Sequence, residues 1–144
     1  MTNVAKPPRT MPNQAWGAFL ESLEWDHLVT LTTKRPWLPT RLQASFREAF
    51  IRPLERLAQR RIDWFLRLEE SARHHPHLHA LLFGTSDLTC RDLQSRWPKG
   101  YSRVSVFRPH EGAGLYLSKG IESAPDSYWL SRRLPPRREA LRHR

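Results

Sequence analysis

His77 and His79, one residue apart, sit in an apolar run of Leu78, Ala80, Leu81, Leu82 and Phe83. Residues i and i+2 of a β-strand point to the same face, so this spacing stands two imidazoles side by side. Such a pair can hold a divalent cation. Further along comes Tyr116-Leu117-Ser118-Lys119, and residues i and i+3 of a helix are neighbours. A helix there presents a phenol beside an ammonium. A free phenol ionises only at about pH 10, and a nearby cation favours its anion. A metal pair and a cation-flanked tyrosine in one small basic chain point to phosphodiester cleavage through the tyrosine.

The third metal donor is expected from the preceding strand. Residues 62 to 69 alternate, with Ile62, Trp64, Leu66 and Leu68 on one face and Asp63, Phe65, Arg67 and Glu69 on the other. A polar turn, Ser71 to Pro76, joins them to a strand over 77 to 83, making a hairpin. Glu69 then reaches the face of the histidines. Glu70 competes for the role, although alternation puts it with Leu66 and Leu68 unless a bulge intervenes. His74 and His75 read as solvated turn residues. Two imidazoles and one carboxylate leave coordination positions open for water or a phosphate oxygen, the layout of a catalytic site. Mixed nitrogen and oxygen donors suit Mn²⁺ or Mg²⁺, with Co²⁺, Ni²⁺ or Zn²⁺ also able to occupy them. Tyr101 and Tyr128 lack a flanking cation of the Lys119 kind.

Other elements must position these groups. Residues 27 to 33 are β-branched and alternating, and predict a strand. Thr40 and Gln43 form a capping-box pattern ahead of an amphipathic helix with the stripe Leu42, Phe46, Ala49, Phe50, Leu54 and Leu57. Pro53 should kink or break that helix. Thr89 can cap a short helix with Asp92 at its third position. A turn at 98 to 100 precedes a strand over 103 to 107. Residues 110 to 120 predict the tyrosine helix, where Gly112 and Gly114 allow close approach to a sheet or to DNA. Residues 1 to 24 read as a Pro-containing arm with a short amphipathic turn around Trp16, Phe19, Leu20 and Leu23. The order β-α-β-β-α-β-α is α+β: an antiparallel sheet with helices packed on one face and the other free for a site.

At 144 residues the chain fits a single domain, expected over 25 to 130. The net charge is +10 and Arg far outnumbers Lys, which favours nucleic acid as the partner over a membrane. Six of the fourteen residues from 131 to 144 are Arg, a composition that predicts a disordered basic tail adding phosphate contacts. Cys90 is the only cysteine, which excludes an intramolecular disulfide and a thiolate zinc site. The N-terminal stretch has no signal-peptide character and no eighteen apolar residues run together, so the expectation is a cytoplasmic protein.

The ordered motifs resemble the HUH endonucleases, in particular the single-tyrosine rolling-circle replication initiators of plasmids and small phages. The strand Leu28-Val29-Thr30-Leu31-Thr32-Thr33 is similar to their first motif. His77-Leu78-His79 with Glu69 upstream is similar to their metal motif, and Tyr116-Leu117-Ser118-Lys119 to their tyrosine motif. The likeness spans residues 27 to 121, with Gly120 standing where relatives often carry an aromatic residue. It implies an RRM/ferredoxin-like fold and sequence-specific, metal-dependent nicking of single-stranded DNA at an origin or hairpin. It implies a 5′-phosphotyrosine at Tyr116, with Lys119 stabilising charge. It also implies Arg67, Arg73, Arg103 and Arg108 along the DNA strand and a host helicase as partner. A transposase or relaxase shares that chemistry. A non-catalytic RRM-like module would want aromatics where this chain has histidines. A metal-dependent hydrolase would not need Tyr116.

Overall fold

The computed structural model describes residues 4–5, 13–35, 37–70, 76–119, 121 and 127–138. Its centre is a hairpin built from two alternating stretches. Strand β3, Asp63–Glu69, pairs antiparallel with β4, His77–Phe83, in a register that sets Glu69 opposite His77 and Arg67 opposite His79. Strand β2, His27–Thr33, runs along the other side of β4 and puts Thr30 opposite His79 and Thr32 opposite His77. Strand β5, Gly100–Val106, closes that edge beside β2. On the far side of β3 come β6, Tyr128–Ser131, and the two-residue β1, Val4–Ala5. All neighbours are antiparallel in the order β1-β6-β3-β4-β2-β5. Sequence reading missed β1 and β6; β6 is four residues long and follows a segment with no strand pattern. β5 begins at Gly100, three residues ahead of its expected start.

One face of the sheet is mostly apolar. Val29, Leu31, Trp64, Leu66, Leu68, Leu78, Ala80, Leu82 and Val104 meet Leu42, Phe46, Phe50 and Leu54 there in a single core. The covering helix does not start on a capping box. Pro39 occupies its first turn, where a fixed φ and a missing N–H cost nothing, and α2, Pro39–Ser45, begins behind Leu38 with no side-chain cap. A π-helical segment, Phe46–Ile51, follows, and α3, Arg52–Ala58, resumes with Pro53 in its first turn. Proline removes the N–H that would bond Ala49 and crowds that carbonyl. The wider turn, in which Arg52 N–H donates to the Arg47 carbonyl, accommodates it. An extra residue in one turn rotates everything beyond it. Ile51 therefore enters the core at 4% exposure, and Leu57, expected in the buried stripe, is 45% exposed. Helix α4, Cys90–Gln94, carries the complete capping box of Thr89 and Asp92 that its sequence predicts.

The α+β class holds, with one addition. Helices also cover half of the opposite face. Helix α1, Asn13–Glu21, and α5, Ala113–Ser118, pack over Phe65, Leu81 and Leu130 around fully buried Trp16, forming a second core. Trp16 stands edge-on to Tyr128 with ring centres 4.7 Å apart, and the Trp25 indole caps α1 by donating to the Leu20 carbonyl at 2.9 Å. The first residues of the expected basic tail are ordered beside it. Arg137 bridges to Leu23, Arg138 N–H donates to the Ser22 carbonyl at 2.9 Å, and Arg138 Nε to the Glu21 carbonyl at 2.6 Å. Open helix-end carbonyls and a buried Leu23 give these residues partners that composition alone does not reveal. No helix among the described residues is long and apolar enough to cross a membrane.

At the start of β2, His27 is 4% exposed and its Nδ1 lies 2.6 Å from the Thr85 hydroxyl. Burial lowers its pKa below the ordinary 6.5, against the opposing pull of the Asp26 carboxylate. The unfolded chain therefore takes up this proton more readily. Stability from this group is complete above about pH 6.5 and is lost as pH falls through the folded value. Thermal melts at pH 7.5 and 5.5 should show that loss, and His27→Gln should reduce it. An identical pH response in the variant would remove His27 as its source.

Candidate active site

The half of the second face left uncovered by α1 and α5 collects the polar residues of four strands. In register across it run Glu69, His77, Thr32 and Tyr101, and beside them Arg67, His79, Thr30 and Arg103. Period-two alternation places them there. His79 is the hub of the cluster. Its Nε2 lies 2.7 Å from Glu69 Oε1 and its Nδ1 3.2 Å from the Thr30 hydroxyl. A hydroxyl can donate or accept, so Thr30 holds the ring in place whichever nitrogen carries the proton. Sequence reading had Thr30 in the strand motif but gave it no role.

The His77 ring stands 6.3 Å from that of His79, centre to centre, at 64°. Among the described residues no three His, Cys, Asp or Glu side chains form a group that could hold a metal ion as they stand. The structure thus joins two members of the expected trio, His79 and Glu69, and keeps His77 on the same face. Glu70 is exposed just beyond the end of β3, so Glu69 is the carboxylate in contact with His79.

Helix α5 brings the tyrosine to this face. Tyr116 is 55% exposed, and its ring meets His79 edge-on at 86° with centres 5.8 Å apart. Arg67, Glu69, Glu70, His79, Tyr116 and Lys119 all line one cleft of about 500 Å³. The helix is shorter than the sequence suggests. It ends at Ser118, and Lys119 follows in an extended conformation with its N–H donating to the Tyr116 carbonyl at 3.3 Å. Lys119 thus reaches the cleft from beyond the helix end.

Six residues do not make a stable helix alone, so α5 is held from outside. Gly112 takes φ 90°, a left-handed conformation that favours glycine, and offers no capping side chain. Glu21 of α1 supplies the cap instead, accepting from His110 N–H at 3.0 Å and Gly114 N–H at 3.1 Å. A carboxylate at a helix N-terminus also complements the dipole. At the other end Arg67 Nη1 donates to the Leu117 carbonyl at 2.7 Å. Arg67 is half-buried, and burial lowers its pKa against the raising effect of Glu69. The structure gives it the position of a brace between β3 and α5. Of the other residues expected along DNA, Arg103 and Arg108 are exposed, while Arg73 lies outside the described residues.

The close approach permitted by Gly114 is to α1. A Cβ there would meet Glu21 Cγ at 2.9 Å and the Gly17 carbonyl at 3.0 Å. Gly114→Ala should therefore push α5 away from α1 at a cost of about 1–3 kcal/mol. A fall in Tm with faster amide exchange in α5 checks this; an unchanged Tm would mean that the helices give way freely.

Tyr128 is 1% exposed in the second core, and Tyr101 is 66% exposed but lies across Thr32 from His77. Tyr116 alone among the three combines exposure with a ring contact to the histidine strand. The family model of the replication-associated protein ORF2 matches residues 26–124, well over half of the chain. The chain belongs to this replication-associated family. The matched stretch holds every residue of the cleft except Ser127, so the family likeness and the polar cluster fall on the same elements. Helix α1 and β6 lie outside it, yet they complete the core on which α5 rests. No curated protein and no solved structure matches this member of the replication-associated family.

Proposed function

We propose that this replication initiator is a metal-dependent nicking and joining enzyme of the HUH kind, acting on single-stranded DNA through Tyr116. The observation that carries the reading is the exposed Tyr116 ring set edge-on against His79, itself hydrogen-bonded to Glu69. His77, His79 and Glu69 would hold a divalent cation, Mn²⁺ or Mg²⁺; the donor set of two imidazoles and a carboxylate on one face fits it chemically. When bound, such a cation neutralises charge on the phosphate oxygens.

The chain's own groups do the rest. The Tyr116 oxygen forms a bond to phosphorus and gives up its proton. The bond to the 3′-oxygen breaks, and that oxygen takes up a proton as a free 3′-hydroxyl. The 5′-phosphotyrosine keeps the energy of the broken phosphodiester, so the 3′-hydroxyl can reverse the step and rejoin strands. Lys119, at the cleft, offsets negative charge on the phenolate or the pentavalent phosphorus. Both ring nitrogens of His79 are engaged, one by Glu69 and one by Thr30. For His79 to act as a ligand, Thr30 would keep its hold on Nδ1 while Nε2 turned from Glu69 to a cation that the two share. The exposed Tyr101 ring and Arg103 on the same face suit a strand whose bases stack and whose phosphates need cations. Nicking of this kind starts rolling-circle replication, with a host helicase expected to separate the strands.

The test is direct. The full chain, incubated with an origin-like single-stranded oligonucleotide and Mn²⁺, should give a protein–DNA adduct on a denaturing gel, and a chelator should abolish it. Cleavage without an adduct would make water the nucleophile. Neither product would end the nuclease reading.

A further inference from the structure

On the apolar face of the sheet, remote from Tyr116, the helices frame a groove of about 460 Å³. Arg47 comes to it from the π-helical turn, Arg52 and Arg56 from α3, Arg60 and Arg61 from the turn into β3, and Arg132 and Arg133 from beyond β6. Glu55 is the one carboxylate lining it, and its Oε2 already accepts the Ile62 N–H at 2.9 Å. Arg60 is paired with Asp87 at 2.8 Å. The six other arginines make no ion pair among the described residues, and the Arg47 Nε is buried there without a hydrogen-bond partner. Asp63 exerts its field on Arg61 and Arg133, which still leaves a surplus of positive charge. Surplus positive charge raises the folded state's self-repulsion, which an external polyanion would offset.

We propose that this groove binds the sugar–phosphate backbone of duplex DNA, a second nucleic-acid site distinct from the tyrosine cleft. Arginine forks match phosphate oxygens bidentately. The choice of duplex over single strand follows from the floor of the groove. Single-strand sites offer exposed aromatic rings on which bases stack. Here the apolar lining is Ile51, Ile62 and Trp64, exposed by 4%, 1% and 4%. Trp64 is committed to the core, edge-on to Phe46 with centres 5.2 Å apart. A groove with cations and no stacking surface reads backbone alone, which is what a duplex presents when its bases are paired inside. The exposed rings Tyr101 and Tyr116 lie on the other face. The two faces thus divide the labour between unpaired and paired DNA, and this part of the argument rests on the nicking reading for the tyrosine face only.

The test measures binding and needs no cleavage, so it fails or succeeds apart from that reading. Arg52, Arg56 and Arg132 are exposed or half-exposed, and the triple variant Arg52→Gln/Arg56→Gln/Arg132→Gln should melt as the parent does. With a labelled mixed-sequence blunt duplex, fluorescence anisotropy across a salt series should show weaker binding. The slope of log affinity against log salt should flatten by about 0.9 for each lost phosphate contact, about 2.7 in all. Affinity for a single strand of equal length should stay close to that of the parent. A control variant, Arg35→Gln/Arg91→Gln/Arg96→Gln, removes equal charge outside the groove and should keep the duplex slope. An unchanged duplex slope in the groove variant would overturn the proposal. So would an equal loss in the control, or an equal loss for single strands.

Discussion

The Tyr116→Phe protein should keep its fold and its grip on single-stranded DNA, and lose strand cleavage and the covalent adduct together. The change removes one oxygen from a ring that is 55% exposed, so stability should move by no more than about 0.5 kcal/mol. The edge-on contact with His79 belongs to the ring and survives. Cleavage should fall by more than about 10³-fold, because loss of a nucleophile leaves only the contribution of binding and orientation. Tyr101→Phe should cleave normally, since that phenol stands across Thr32 from His77. A Tyr116→Phe protein that still forms an adduct would reassign the nucleophile.

His79→Ala should also abolish cleavage, for a different reason and with a different signature. It deletes the group that meets Glu69, Thr30 and the Tyr116 ring at once. Mn²⁺ affinity by calorimetric titration should collapse. Removing only its support, as in Thr30→Val, should weaken the metal by about 10- to 100-fold. His79 is 9% exposed, so leaving its partners unpaired should cost about 1–3 kcal/mol of stability. His77→Ala, at a less buried position, should lose the metal with a smaller shift in Tm. Parent-like Mn²⁺ affinity in both histidine variants would remove the metal centre from the mechanism.

Strands β2, β3 and β4 are legible because alternation is a local property: each residue's neighbours two positions away report its face. The same period carries Glu69, His77 and His79 to one surface, and the observed register agrees. Asp92 under Thr89 is equally local, a cap and its partner three residues apart. What escapes sequence reading is what depends on distant chain. Glu21 caps a helix more than ninety residues away, and no spacing rule connects the two. Arg67 is expected to face DNA because it is a cation on the open side; its Leu117 partner exists only once α5 docks. Helix α1 reads as part of an arm because its burial depends on Phe65, Leu81 and Tyr128 from elsewhere. The π-helical turn lies between these cases. Proline marks the place, but the register of Ile51 and Leu57 depends on how the chain yields there.

The two cores give the molecule two ways to open. The larger holds the sheet to α2, α3 and α4; the smaller holds α1 and α5 to the other side. Proteins unfold locally in such cooperative units, each with its own free energy up to the global value. The proposed metal donors ride on strands that both cores share, whereas Tyr116, the proposed nucleophile, rides on a six-residue helix anchored in the smaller one. Fluctuations that detach α1 and α5 would withdraw Tyr116 while the histidines keep their register. If Tyr116 carries a DNA end as proposed, that end would move with this unit, and the smaller core's opening equilibrium would set how long a broken end stays in line with its 3′-hydroxyl.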